Sequence, residues 1–268
     1  MKEELRSLVL EAGDPVRAGN LAREYLQARI LAALQEAGAM VPLAFQGGTA
    51  LRFLYDLPRF SEDLDFALER PDRGPFDLEA TAGRVEAKLA REGYAVRRGL
   101  ATGRPVERLD IAFPGLPHDL GLSPHASQVL RIRVEVDTRP PAGAGLATTI
   151  VRRHAMLNLQ HHDRASLLAG KLHALLQRDW AKGRDLFDLF WYLSDRRWPE
   201  PNLVLLGNAL RQTGWDGPEL DETTWRAAVR RRVEAIDWAA AARDVAPFLE
   251  PGPSTDLFGR EALLGLLE

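Results

Sequence analysis

The feature that most constrains the fold is a change of hydrophobic period part-way along the chain. Before residue 140 apolar residues come largely in short runs or with a period of two, most clearly from Leu130 to Asp137. There Ile132, Val134 and Val136 alternate with Arg131, Arg133, Glu135 and Asp137. Such alternation puts the apolar side chains on one face of a strand and the charged ones on the other. Past Pro140-Pro141-Ala142-Gly143-Ala144-Gly145, a stretch suited to a linker, the pattern is helical almost to the end. Helices are expected at Ala165 to Arg178, Arg184 to Ser194, Pro201 to Arg211, Thr223 to Ala235 and Trp238 to Leu249. The switch predicts an α+β chain of two domains, 1–143 carrying the strands and 144–268 helical.

Within the first half, Leu21, Tyr25, Leu26, Ile30, Leu31 and Leu34 recur at helical spacing, which predicts a helix from Pro15 to Ala37 closed by Gly38. A short apolar run, Met40 to Phe45, leads through Gln46-Gly47-Gly48-Thr49 into Ala50 to Tyr55, the pattern of strand, tight turn and helix. Further strands are expected at Leu64 to Leu68, Tyr94 to Leu100 and Arg108 to Phe113, a helix at Asp77 to Arg91, and a loop from Pro114 to Gln128.

Composition narrows the chemistry. With no cysteine there are no disulfides, thiolate zinc sites or cysteine nucleophiles, which suits a reducing compartment. A net charge of −3 argues against a surface that binds polyanions everywhere, so nucleic-acid contact must be local. The charged N-terminus leads into no apolar segment of signal-peptide type, and no uncharged apolar run is long enough to span a bilayer. A cytoplasmic protein without membrane partners is expected.

The candidate chemistry lies in the order Gly47-Gly48-Thr49, then Arg59, Ser61, Asp63 and Asp65, then the strand around Glu135. Glycines before a helix let backbone N–H groups approach phosphate oxygens, and the helix start adds partial positive charge. Asp63 and Asp65, one residue apart, point to one side of a strand and suit a hard cation such as Mg²⁺ shared with phosphates. In a two-metal arrangement one ion activates the attacking hydroxyl and the other neutralises the leaving pyrophosphate. Glu135 would complete the metal set. Asp137 shares its face, and Glu135 is favoured because apolar residues flank it on both sides. Farther on, Lys171 and Arg178 share a helix face and form a two-cation surface for phosphate; Asp185 and Asp188 share another. The alternative is an ion-pair network tying those two helices together. His161-His162-Asp163 lacks the spacing of a metal site, and Arg226, Arg230, Arg231 and Arg232 are either a hold for RNA or a solvated face.

Gln46-Gly47-Gly48-Thr49-Ala50-Leu51 followed by Arg59-Phe60-Ser61-Glu62-Asp63-Leu64-Asp65-Phe66 resembles the signature of the AbiEii/AbiGii nucleotidyltransferase toxins of type IV toxin–antitoxin systems. The resemblance continues through Lys171-Leu172-His173-Ala174-Leu175, Arg178, Lys182, Gly183, Arg184, Asp185 and Asp188, and covers most of Val41 to Leu193. It implies a minimal DNA-polymerase-β-like core with a mixed sheet and a helical C-terminal lobe, with the NTP lying in the cleft between them. By match, Asp63 and Asp65 hold metal, Gly48 and Thr49 contact phosphate, Lys171 reaches the triphosphate, and Asp185 is a later acidic residue needed for activity. Arg59 and Ser61 match as well, either as nucleotide contacts or as residues that hold the metal loop. The implied reaction moves a nucleoside monophosphate from an NTP to an RNA end, the tRNA 3′ acceptor, with an antitoxin encoded nearby. The same core serves a small-molecule hydroxyl or a protein side chain as acceptor, and a non-catalytic NTP-binding module is the reading from another class.

Overall fold

The chain opens with α1 (Lys2–Leu10) and α2 (Pro15–Glu36). Helix α2 begins where the sequence signals it: Pro15 occupies the first turn, and the Asp14 side chain accepts a hydrogen bond from the Arg17 N–H at 2.9 Å. Strand β1 (Leu43–Gln46) then runs directly into α3 (Gly47–Tyr55). The order continues with β2 (Leu64–Leu68), α4 (Leu78–Arg91), β3 (Arg97–Ala101), β4 (Val106–Pro114), α5 (Leu116–Asp119) and β5 (Val129–Asp137). The structure is a computed structural model that describes residues 2–70, 72, 76–178 and 180–268.

The linker is followed by two strands, β6 (Leu146–Arg153) and β7 (Ala155–His162), where the sequence reading expects the helical pattern to begin. The correction has a local cause. Thr148, Thr149, Ile150 and Val151 are β-branched, and in β7 the buried Leu157, Leu159 and His161 alternate with Met156, Asn158 and Gln160. The loop expected at Pro114 to Gln128 holds the short helix α5, and β3 starts at Arg97 rather than Tyr94, because buried Tyr94 belongs to the turn that ends α4.

All seven strands form one mixed sheet in the order β3-β4-β5-β2-β1-β7-β6. Strand β2 lies antiparallel to β1 and parallel to β5, while β1 is parallel to β7. One face buries Leu64, Phe66, Leu109, Ile111, Val134 and Val136, with α2 and α4 packed on the sheet. Phe45 and Phe66, cross-strand partners, stack with ring centroids 5.1 Å apart. Burying these apolar side chains on one face leaves the alternate positions of β2, β4 and β5 for charged residues.

Helices α6 (Arg164–Gln177), α7 (Gly183–Leu193), α8 (Leu203–Gln212), α9 (Trp225–Glu234), α10 (Trp238–Val245), α11 (Pro253–Leu257) and α12 (Arg260–Leu266) complete the chain. Their shared core includes Leu168, Leu172, Leu186, Leu206, Trp225 and Val229. The chain divides into two compact units that interleave in sequence. The sheet unit comprises Met1–Leu54, Phe60–Arg139 and Thr148–His161; the helical unit comprises Tyr55–Arg59, Pro140–Ala147 and His162–Glu268. Among the described residues no helix is long and apolar enough to cross a membrane.

Candidate active site

In the sheet unit, strand register assembles the first group of residues. Gln46 of β1 is the partner of Asp65 of β2, Asp65 is the partner of Glu135 of β5, and Glu135 is the partner of Arg108 of β4. Cross-strand partners project from the same side of a sheet. Gln46, Asp65, Glu135 and Arg108 therefore form one row on the face opposite the apolar core, and Asp63 immediately precedes β2. Asp137 is the partner of Ala67, accepts from the Arg139 N–H at 2.9 Å, and has its pKa raised by burial. Of the two carboxylates the sequence leaves open on β5, Glu135 is the one in the Asp65 row.

Gly47, which follows Gln46, lies against Asp65 of this row. Its φ is +78°, and a Cβ there would collide with the Asp65 carboxylate. The glycine thus lets the first residue of α3 lie directly against Asp65. Gly48 is buried, and Thr49 is fully buried with its hydroxyl donating to the Asp63 carbonyl. Thr49 therefore holds the aspartate loop through its side chain. A residue that sequence reasoning missed lies behind the same loop: Gln27 of α2, 1% exposed, donates its side-chain amide to the carbonyls of Ser61 at 3.0 Å and Glu62 at 2.9 Å. The available signal was a glutamine amid the apolar stripe of an amphipathic helix.

Arg133, on the same strand face as Glu135, donates to Asp110 at 3.0 Å and lies 3.9 Å from Glu135. Its pKa is raised chiefly by the Asp110 hydrogen bond, with the charges of Asp63 and Glu135 adding to it. Among the described residues no three acidic or histidine side chains are gathered closely enough to hold a metal ion as they stand.

In the helical unit, the later motif forms a closed ion-pair network. Lys171 on α6 lies 3.1 Å from Asp185 and 2.7 Å from Asp188, both on α7. Arg178, just past the end of α6, pairs with the other oxygen of Asp185. Arg59 pairs with Asp188 through two hydrogen bonds, Nε to Oδ1 at 2.5 Å and Nη2 to Oδ2 at 2.6 Å, and is 2% exposed. Arg59 is thus committed to Asp188. Burial lowers the pKa of Lys171, but the charges of Asp188 and Asp185 outweigh it and raise the pKa overall. Burial also raises Asp185, and Lys171 and Arg178 more than offset this, so its pKa falls. The group is a set of fixed charges, three cations to two anions. Arg178, with 40% of its side chain exposed, is its most accessible cation; Lys171 stands at 13%.

Other sequence candidates find structural roles. Buried His161 bonds Thr149 at 2.9 Å, and Asp163 caps α6 by accepting from the Ser166 N–H at 2.8 Å. In the basic run, Arg226 pairs with Glu200, Arg230 with Glu234 and Glu268, and Arg232 donates to the carbonyls of Leu175 and Arg178. That run is largely committed within the chain.

The seven-stranded mixed sheet with its helices is similar in fold to solved nucleotidyltransferases. The chain is similar to MenT4, a nucleotidyltransferase toxin from Mycobacterium tuberculosis H37Rv, at 19% identity and a TM-score of 0.61 over 100% of this chain and 88% of that one. A putative nucleotidyltransferase from H. pylori matches at 18% identity and a TM-score of 0.55, over 92% of this chain and 90% of that one. JHP933 from Helicobacter pylori matches at 17% and 0.53, over 92% and 88%. No curated protein matches significantly. Residues 29–260 match the nucleotidyl transferase AbiEii toxins of type IV toxin–antitoxin systems, and the chain belongs to that family. It is a nucleotidyltransferase; the family implies an NTP substrate and a cognate antitoxin.

Proposed function

We propose that this toxin moves a nucleoside monophosphate from an NTP to the 3′ end of a tRNA in the cytoplasm. The sheet unit would act as a polymerase-β-like nucleotidyltransferase domain and the helical unit as its companion lobe. The observation that carries the reading is the register that puts Asp65 and Glu135 side by side, with Gly47 in contact with the Asp65 carboxylate.

The donor set fits Mg²⁺. The row offers hard carboxylate oxygens, and Mg²⁺ in such enzymes is held by one or two carboxylates together with substrate phosphates and water, so a ready-made protein cage is not required. Asp63, Asp65 and Glu135 would hold it. Bound there, the metal would supply charge neutralisation at the pyrophosphate and greater acidity at the acceptor hydroxyl, in a one- or two-ion arrangement. The backbone N–H groups of Gly47, Gly48 and Thr49 would bind phosphate at the start of α3. Ser61 would lie on the loop that delivers the aspartates. Within the helical unit Arg178 is the accessible cation of the later motif, while Asp185 and Asp188 hold Lys171 as a permanent positive charge rather than a proton acceptor.

The test incubates the protein with total RNA, Mg²⁺ and each labelled NTP in turn, and reads the products on a gel. One RNA size class should take up label, and Asp63→Ala or Asp65→Ala should abolish uptake. Undiminished labelling by both variants would overturn the metal assignment; label on protein or on a small molecule would overturn the RNA acceptor.

A further inference from the structure

Two buried polar side chains, Glu24 and Gln27, lie three residues apart on one face of α2. Gln27 holds the carbonyls of Ser61 and Glu62, and Thr49 of α3 holds the next carbonyl, that of Asp63. Three consecutive backbone acceptors are thus gripped by two buried side chains, immediately before the strand that carries Asp65. Glu24 grips Arg52 of α3 at 2.5 Å, so the same helix also anchors the element whose first residue lies against the Asp65 carboxylate.

A connecting segment ordinarily satisfies its carbonyls with water at the surface. Holding three in a row from behind fixes the height and rotation of the segment, and with it the direction of the Asp63 side chain and the entry of β2. We infer that Gln27, acting with Thr49, is a positioning residue for the Asp63 and Asp65 carboxylates, setting where they meet a divalent cation. The inference rests on the nucleotidyltransferase site proposed above. Groups that orient ligands in this way typically change metal affinity or activity by about 10–100-fold when removed.

The experiment measures Mn²⁺ affinity of the full chain by electron paramagnetic resonance, with a non-hydrolysable NTP analogue present. Melting temperature and the kcat and KM of RNA labelling are measured on the same preparations. Gln27→Met, which keeps the length of the side chain and removes both donated hydrogens, should weaken Mn²⁺ binding about 10–100-fold. It should lower kcat with little change in the NTP KM. Thr49→Val should weaken Mn²⁺ binding likewise, and Thr49→Ser, which keeps the hydroxyl, should restore it. The Thr49 pair decides the matter if Gln27→Met does not fold. Wild-type Mn²⁺ affinity in both Gln27→Met and Thr49→Val would overturn the inference, even if both melt earlier. Asp65→Asn separates the two readings. If it loses Mn²⁺ while Gln27→Met and Thr49→Val both keep it, only the positioning role falls; if it binds Mn²⁺ like the wild type, the site and the inference fall together.

Discussion

At the scale of single residues, the carboxylate row depends on one position having no side chain. Gly47 sits at φ +78°, and a Cβ there would meet the Asp65 carboxylate. Gly47→Ala therefore imposes a left-handed backbone on alanine and pushes Asp65 aside, at a stability cost of about 1–3 kcal/mol. Transfer activity should fall at least about 100-fold, since misplacing a reacting group by roughly 1 Å has that effect. Labelling assays and urea denaturation of the variant check both numbers, and full activity in Gly47→Ala would refute the contact. The residue types at this site were readable in the sequence, because Gly-Gly, Asp-x-Asp and an acidic strand each carry a local signature. The commitment of Arg59 to Asp188 was not readable, since the two lie 129 positions apart and only folding brings them together.

At the scale of elements, α7 shows how packing reverses a local preference. Gly183 is the first residue of α7, and alanine is by intrinsic preference a better helix former than glycine. In the structure a Cβ at Gly183 would collide with the Ala241 carbonyl of α10, and the Gly183 N–H donates to Asp244 at 2.8 Å. Gly183→Ala should therefore lower the melting temperature by several degrees, the shift of about 1–2 kcal/mol in a chain of this size. Because α7 carries Asp185 and Asp188, labelling should fall with it. Differential scanning calorimetry checks the sign, and a raised melting temperature would show that the helices separate freely. Strands β6 and β7 teach the same lesson from the other side: Leu157 and Leu159 are apolar enough for helix or strand, and pairing of β7 with β1 decides for strand.

At the scale of the whole molecule, each unit carries a carboxylate whose ionised form folding favours. In the sheet unit burial raises the pKa of Glu24, but the hydrogen bond to His154 and the charges of Arg52 and Arg153 outweigh it and bring it to about 2 from 4.5. Asp185 in the helical unit is likewise lowered. A carboxyl with a depressed folded pKa binds protons more readily when unfolded, so its contribution is complete above the unfolded pKa and lost as pH falls through the folded one. The contribution of these two carboxylates should thus be level above about pH 5 and decline toward pH 2, with Glu24 supplying on the order of 3 kcal/mol of that decline. Denaturation series between pH 2 and 7 measure the slope; Glu24→Gln should flatten it, and an unchanged slope in that variant would contradict the buried pairing.

The sequence by itself determined the local choices: a strand passing through glycines into a helix, two aspartates one residue apart, an alternating strand with a charged face, and a helical second half. These follow from side-chain period, backbone freedom and residue chemistry within a few neighbouring positions. Only tertiary structure decided that β6 and β7 join the sheet from beyond the linker, that Glu135 rather than Asp137 stands beside Asp65, and that Arg59, Lys171, Asp185 and Asp188 neutralise one another. Register and ion pairing link residues far apart in the chain, and their energies exist only once the chain has closed on itself.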